Sequence, residues 1–91
     1  MKNPEISIII PVYNEEDNVI ILHIRLVKIL NSIGKNYEVI FVDDGSTDKT
    51  YQNLLKLNNI KIIKFRKNFG QTAAWSAGFE HAKGNIIITL D

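Results

Sequence analysis

Four short apolar runs alternate with three stretches of helical periodicity, and this alternation restricts the chain more than any other feature. The runs are Ile6–Ile10, Tyr37–Val42, Ile60–Phe65 and Asn85–Leu90. Runs this apolar suit strands buried on both faces, as in a parallel sheet covered by helices. Between the first two, Val19, Leu22, Leu26, Ile29 and Ile33 recur at spacings of three and four and predict a helix face. Asn14 is expected to cap that helix, with Glu15, Glu16 and Asp17 at the positive end of its dipole and Gly34 as its stop.

A second helix is expected after Ser46 or Thr47, carrying Leu54, Leu55 and Leu57. A third is expected from Gln71 to Ala82, with Gly84 as its stop. Its interior is small: Ala73, Ala74, Ser76, Ala77 and Gly78. A glycine inside a helix costs about 1 kcal/mol relative to alanine, so close approach of this helix to the sheet is the expected return. Trp75 and Phe79, four apart, read as core. The order β-α-β-α-β-α-β predicts an α/β fold, a Rossmann-like doubly wound parallel sheet with right-handed crossovers. A strand order of 3-2-1-4, as in related folds, would leave the last strand as an uncovered apolar edge.

An apolar fraction of 45% over 91 residues suffices for a core, but a domain this small leaves about 40% of its unfolded-chain surface exposed. The chain stops one residue after its fourth apolar run, which reads as truncation of a longer domain. Eleven basic residues face ten acidic ones, a net charge of +1, which gives no electrostatic basis for nucleic-acid binding. The absence of cysteine excludes disulfides, cysteine-ligated zinc and thiol catalysis. Ile6–Ile10 is too short for a secretory leader, and no run approaches the ~20 residues of a membrane span. The expected location is cytoplasmic.

In an open α/β sheet, ligands bind outside the carboxyl ends of the strands. Three of the predicted strands end there in polar residues: Pro11-Val12-Tyr13-Asn14-Glu15, Asp43-Asp44-Gly45-Ser46-Thr47-Asp48, and Asp91. Asp43 and Asp44 read either as turn formers or as acceptors for the N–H edge of a base or for a ribose hydroxyl. Tyr13 reads either as packing or as a stacking surface for a base. Arg66 and Lys67 sit where a phosphate could be met, arginine being the better bidentate partner. A nucleoside diphosphate near Asp43, Asp44 and Asp91 would be repelled unless a hard divalent cation, Mg2+ or Mn2+, were shared between carboxylate and phosphate oxygens. The dinucleotide fingerprint G-x-G-x-x-G and the phosphate loop G-x-x-x-x-G-K-[ST] are absent. A receiver-like signalling domain also carries paired acids. Here, however, the pair follows the second strand, and the motif-rich first turn would have no explanation.

Together, Pro11-Val12-Tyr13-Asn14-Glu15-Glu16, Val42-Asp43-Asp44-Gly45-Ser46-Thr47-Asp48 and Gly84-Asn85-Ile86-Ile87-Ile88-Thr89-Leu90-Asp91 resemble the family-2 glycosyltransferases of GT-A fold. Arg66-Lys67-Asn68-Phe69-Gly70-Gln71, with Ala77-Gly78-Phe79-Glu80-His81-Ala82, is similar to the polyprenyl-phosphate branch, which includes dolichol-phosphate mannosyltransferases and bacterial undecaprenyl-phosphate enzymes. The resemblance implies that residues 1–91 form the nucleotide-sugar-binding, N-terminal half of a GT-A domain. It implies donor-nucleotide contacts from Pro11, Tyr13, Glu15 and Asp43, with Asp91 as the first aspartate of a metal-binding D-x-D motif. The implied donor is a UDP- or GDP-sugar and the implied acceptor of the full-length parent is a polyprenyl phosphate, reached at the cytoplasmic face of a membrane. The second aspartate and the acceptor-side residues are missing, so no catalytic residue is assigned. The alternative is a non-catalytic nucleotide-binding module or gene remnant.

Overall fold

The computed structural model describes residues 3–90; Asp91 lies outside the described residues. The elements are β1 (Ile6–Val12), α1 (Val19–Ile33), β2 (Tyr37–Asp43), α2 (Thr50–Leu54), β3 (Lys61–Lys64), α3 (Gln71–His81) and β4 (Ile86–Thr89). All strand pairs are parallel, as the alternation of runs and helices predicts, and the sheet order is β3-β2-β1-β4, the order of related folds.

The two-residue period of β1 sends its side chains to both faces, and both are covered. Ile6, Ile8, Ile10 and Val12 join Val39 and Phe41 of β2 beneath Val19 and Leu30 of α1 and Leu54 of α2. On the opposite face Ile9, Ile40 and Val42 pack with Ala74 of α3. Helices on both faces make the sheet doubly wound. Gly78 permits the close approach of α3, since a Cβ there would lie 2.4 Å from Ile9 Cγ2. The small-residue interior of α3 is thus explained by contact with a β-branched core residue that cannot easily move.

Several local expectations need correction. In α1 the buried residue of the last turns is Leu30, while Ile29 and Ile33 are 59% and 49% exposed. A strict three-four series follows a 3.5-residue period and drifts around a straight 3.6-residue helix by ~20° per seven residues, so its far end turns away from the sheet. The helix begins at Val19 after Asn18, and Asn14 does not cap it. Instead of starting just after Ser46 or Thr47, α2 starts at Thr50, because residues 46–49 are spent in the turn that meets the β1 loop. At its far end α3 stops at His81, with Ala82 already extended, ahead of Gly84. Phe79 is exposed rather than core, whereas Trp75 packs against the α3-side cluster.

The amino edge of the sheet is tied by one carboxylate. Glu38 accepts from the Ser7 hydroxyl and from the Lys83 amide at 2.6 Å, and pairs with Lys61 Nζ at 2.7 Å. The Gly84 amide donates to Ser7 Oγ at 2.8 Å, joining the approach to β4 to the same group. Burial pushes the Glu38 carboxyl up, but Lys61, the Ser7 hydroxyl and the Lys83 amide outweigh it and hold it below the ordinary carboxylate value. By contrast β4 pairs, among the described residues, only with β1, and its four residues are exposed. It is the uncovered edge anticipated above.

Candidate nucleotide-binding site

Parallel register sets the site. Val12 pairs with Asp43, so β1 and β2 end level, and the Asp44 amide extends the pairing to Val12 O at 2.9 Å. The Phe65 amide reaches Asp43 O at 2.9 Å, bringing the chain after β3 to the same edge. The loops bearing Tyr13, Asp44 and Arg66 therefore leave the sheet side by side.

A groove of about 440 Å³ runs along the end of β1 and the first turns of α1, lined by Pro11, Tyr13, Glu15, Asn18, Leu22 and Arg25, among others. A smaller recess of about 120 Å³ lies between Pro11, Val12, Tyr13, Asp44 and Gln71. Pro11 and Tyr13 thus belong to both, and Tyr13 is 44% exposed, available as a flat apolar surface. Glu15 is partly engaged, with its Oε2 accepting from Asn18 Nδ2 at 2.7 Å.

The two adjacent aspartates have different surroundings because alternate residues of an extended chain face opposite ways. Asp44 turns to the α3 side. One carboxylate oxygen accepts from the Phe69 amide at 2.8 Å, and the other from the Gly70 amide at 3.0 Å and Asn68 Nδ2 at 3.1 Å. Its carboxylate holds the 68–70 turn. Asp43 is 0% exposed and lines neither hollow. Its Oδ1 accepts from the Ser46 amide at 3.0 Å, while Oδ2 is buried and has no partner among the described residues. Gly45 makes the exit between them possible: its φ is +74°, and a Cβ would sit 2.2 Å from the Lys67 carbonyl carbon.

Arg66 is exposed and lines neither hollow. Lys67 Nζ lies over the Phe69 ring, 5.2 Å from its centroid. Among the described residues no three acidic or histidine side chains gather as a metal centre. With Asp44 committed to the 68–70 turn and Asp91 outside the described residues, these side chains do not by themselves form a site for Mg2+ or Mn2+.

The sequence alone did not give the roles of Asn14 and Asp48, and it did not single out Arg25. Asn14 has φ +52° and ties the β1 loop to the β2 loop. Asp48 Oδ1 accepts from the Thr50 amide at 2.8 Å and its Oδ2 from the Glu16 amide at 3.2 Å. Desolvation pushes the Asp48 carboxyl up, yet the bonds from Thr50 and Glu16 hold it below its ordinary value. Arg25 reaches the larger groove from α1, and its seven-residue spacing from Asn18, two helical turns, was the signal available for it.

Residues 7–91 match the family described as Glycosyl transferase family 2. An uncharacterized glycosyltransferase of Synechocystis sp. is 45% identical over 91 residues, covering 96% of this chain and 29% of the relative. The undecaprenyl-phosphate 4-deoxy-4-formamido-L-arabinose transferase of Edwardsiella ictaluri is 40% identical over 91 residues, covering 94% of this chain and 28% of the relative. Among solved structures, TarS 1–349 of S. aureus in complex with UDP superposes with a TM-score of 0.72 at 29% identity, over 96% of this chain and 27% of that one. The chain therefore spans under a third of the length of these relatives. The extent of the family match, with the parallel β3-β2-β1-β4 sheet behind it, makes this chain a member of glycosyl transferase family 2.

Proposed function

We propose that the carboxyl edge of β1 and β2 receives the nucleotide of a UDP- or GDP-sugar, and that the full-length protein transfers the sugar to a polyprenyl phosphate. The observation that carries this reading is the buried Asp43 Oδ2, without a donor among the described residues, on the β2 end that pairs with Val12, next to the half-exposed Tyr13. A buried acceptor without a partner costs about 1–3 kcal/mol, which a ligand N–H or hydroxyl would relieve. Tyr13 offers a ring to the base, with Pro11 and Glu15 on the same wall. Arg66, which leaves the sheet on this edge, is the candidate phosphate contact from the third loop.

The UDP complex of TarS supports a uridine nucleotide, and the name of the Edwardsiella relative supports a polyprenyl phosphate acceptor. A Mg2+ or Mn2+ ion held by Asp91 and the donor phosphates would neutralise the diphosphate as it leaves; this part rests on charge alone. A lipid-linked acceptor puts the full-length protein at the cytoplasmic face of a membrane. No described helix is long and apolar enough to cross one.

Titration calorimetry with UDP and GDP, in Mg2+ and again in EDTA, tests the reading. Saturable binding that tightens with Mg2+ is the expected result. Absence of binding to either nucleotide overturns the site, and equal affinity in EDTA removes the metal.

A further inference from the structure

We propose that Asn14 is a positioning residue, which latches the β1 loop to the β2 loop so that Tyr13 and Asp43 address one nucleotide. This inference rests on reading that edge as the nucleotide site. Tyr13 and Asp43 stand on different strands, and nothing in the strand pairing fixes the loops beyond Val12 and Asp44. The latch does. Asn14 Oδ1 accepts from the Thr47 amide at 2.8 Å, from Thr47 Oγ1 at 3.3 Å and from the Asp48 amide at 3.3 Å. In return the Asn14 amide donates to Ser46 Oγ at 2.9 Å, and the Glu15 amide to Thr50 Oγ1 at 2.8 Å. One carboxamide thus gathers three donors from the turn that immediately follows Asp43, whose own Oδ1 holds the Ser46 amide.

The backbone of Asn14 supports the same conclusion. Its φ of +52° lies in the left-handed region, which asparagine tolerates better than most residues other than glycine. That conformation places the residue directly after Tyr13 across from the β2 turn rather than at the head of α1. Asparagine therefore meets two requirements at once: it adopts the left-handed backbone and supplies a carbonyl acceptor. Glycine satisfies only the first, and aspartate satisfies both.

The test uses the 91-residue chain with UDP and GDP as probes, in Asn14→Gly and Asn14→Asp. Asn14→Gly should weaken nucleotide binding about tenfold, which is about 1.4 kcal/mol, while Asn14→Asp stays within about threefold of the parent. Amide hydrogen exchange at Thr47 and Asp48 should quicken in Asn14→Gly and be retained in Asn14→Asp, a rescue that general destabilisation does not give. Parent-like affinity and exchange in Asn14→Gly overturn the proposal, as does equal weakening by both substitutions. If the parent binds neither nucleotide, the site reading fails and exchange alone decides whether the latch exists. Should Asn14→Gly not fold, Ser46→Ala removes the reciprocal acceptor and should quicken exchange at the Asn14 amide; unchanged exchange there overturns the latch.

Discussion

Asp44→Asn separates the two aspartates most sharply, because the substitution is isosteric and the partners of each oxygen are known. The asparagine can keep only one carbonyl oxygen. Its better orientation retains the Gly70 amide and Asn68 Nδ2 and turns the new amide nitrogen toward the Phe69 amide. One charge-assisted bond is then lost and two donors face each other in a partly buried site. Loss of a bond to a charged partner costs about 1.5–3 kcal/mol. For a chain of this size each kcal/mol lowers the melting midpoint by about 4–8 °C, so a loss of about 2 kcal/mol gives a drop of about 8–16 °C. Thermal unfolding followed by far-ultraviolet circular dichroism reads the midpoint, and hydrogen exchange at Phe69 and Gly70 locates the damage. A midpoint within about 2 °C of the parent, with both amides still protected, would refute the assignment of Asp44 to the 68–70 turn.

Asp43→Asn should do the reverse: nucleotide affinity falls about tenfold or more by calorimetry, while the midpoint moves less than in Asp44→Asn, and unchanged affinity contradicts the role given to Oδ2. The exposed apolar β4 edge should drive self-association of the 91-residue chain, and Ile87→Lys should reduce it in sedimentation velocity; a monodisperse parent contradicts this. Glu38 has its folded-state value held below its ordinary one, so its contribution is present above the ordinary carboxylate range and is lost as pH falls through the folded value. Glu38→Gln should therefore flatten the acid limb of the midpoint-against-pH profile, and an unaltered acid limb contradicts the network at the amino edge.

The sheet was legible because its signal is collective. β-branched runs in β1 and β2, buried on both faces, leave few architectures open, and Gly78 announced the approach of α3 through its cost in a helix. Single-residue roles at the loops were less legible. Asn14 carries the composition of a helix cap, but its partners Ser46, Thr47 and Asp48 lie more than thirty residues away, so no local pattern reveals them. The same holds for Asp44, whose donors come from the turn before α3. Asp43 and Asp44 are adjacent in the chain yet face different layers, a distinction that strand alternation hints at and only the packed loops specify. Ile29 and Ile33 show the opposite limit, where a local pattern was present but its period did not follow the helix.

The central claim is that the crevice at the ends of β1 and β2 is a nucleotide site, and amide chemical-shift mapping tests it most directly. The 15N-labelled 91-residue chain would be titrated with UDP and with GDP in the presence of Mg2+. Saturable shifts gathered at residues 12–15 and 43–47, with the Ser46 amide among them because it shares the Asp43 carboxylate, are the predicted result. Shifts confined to the opposite edge of the sheet, around Lys35, Lys61 and Lys83, or no saturable shift with either nucleotide, would contradict it.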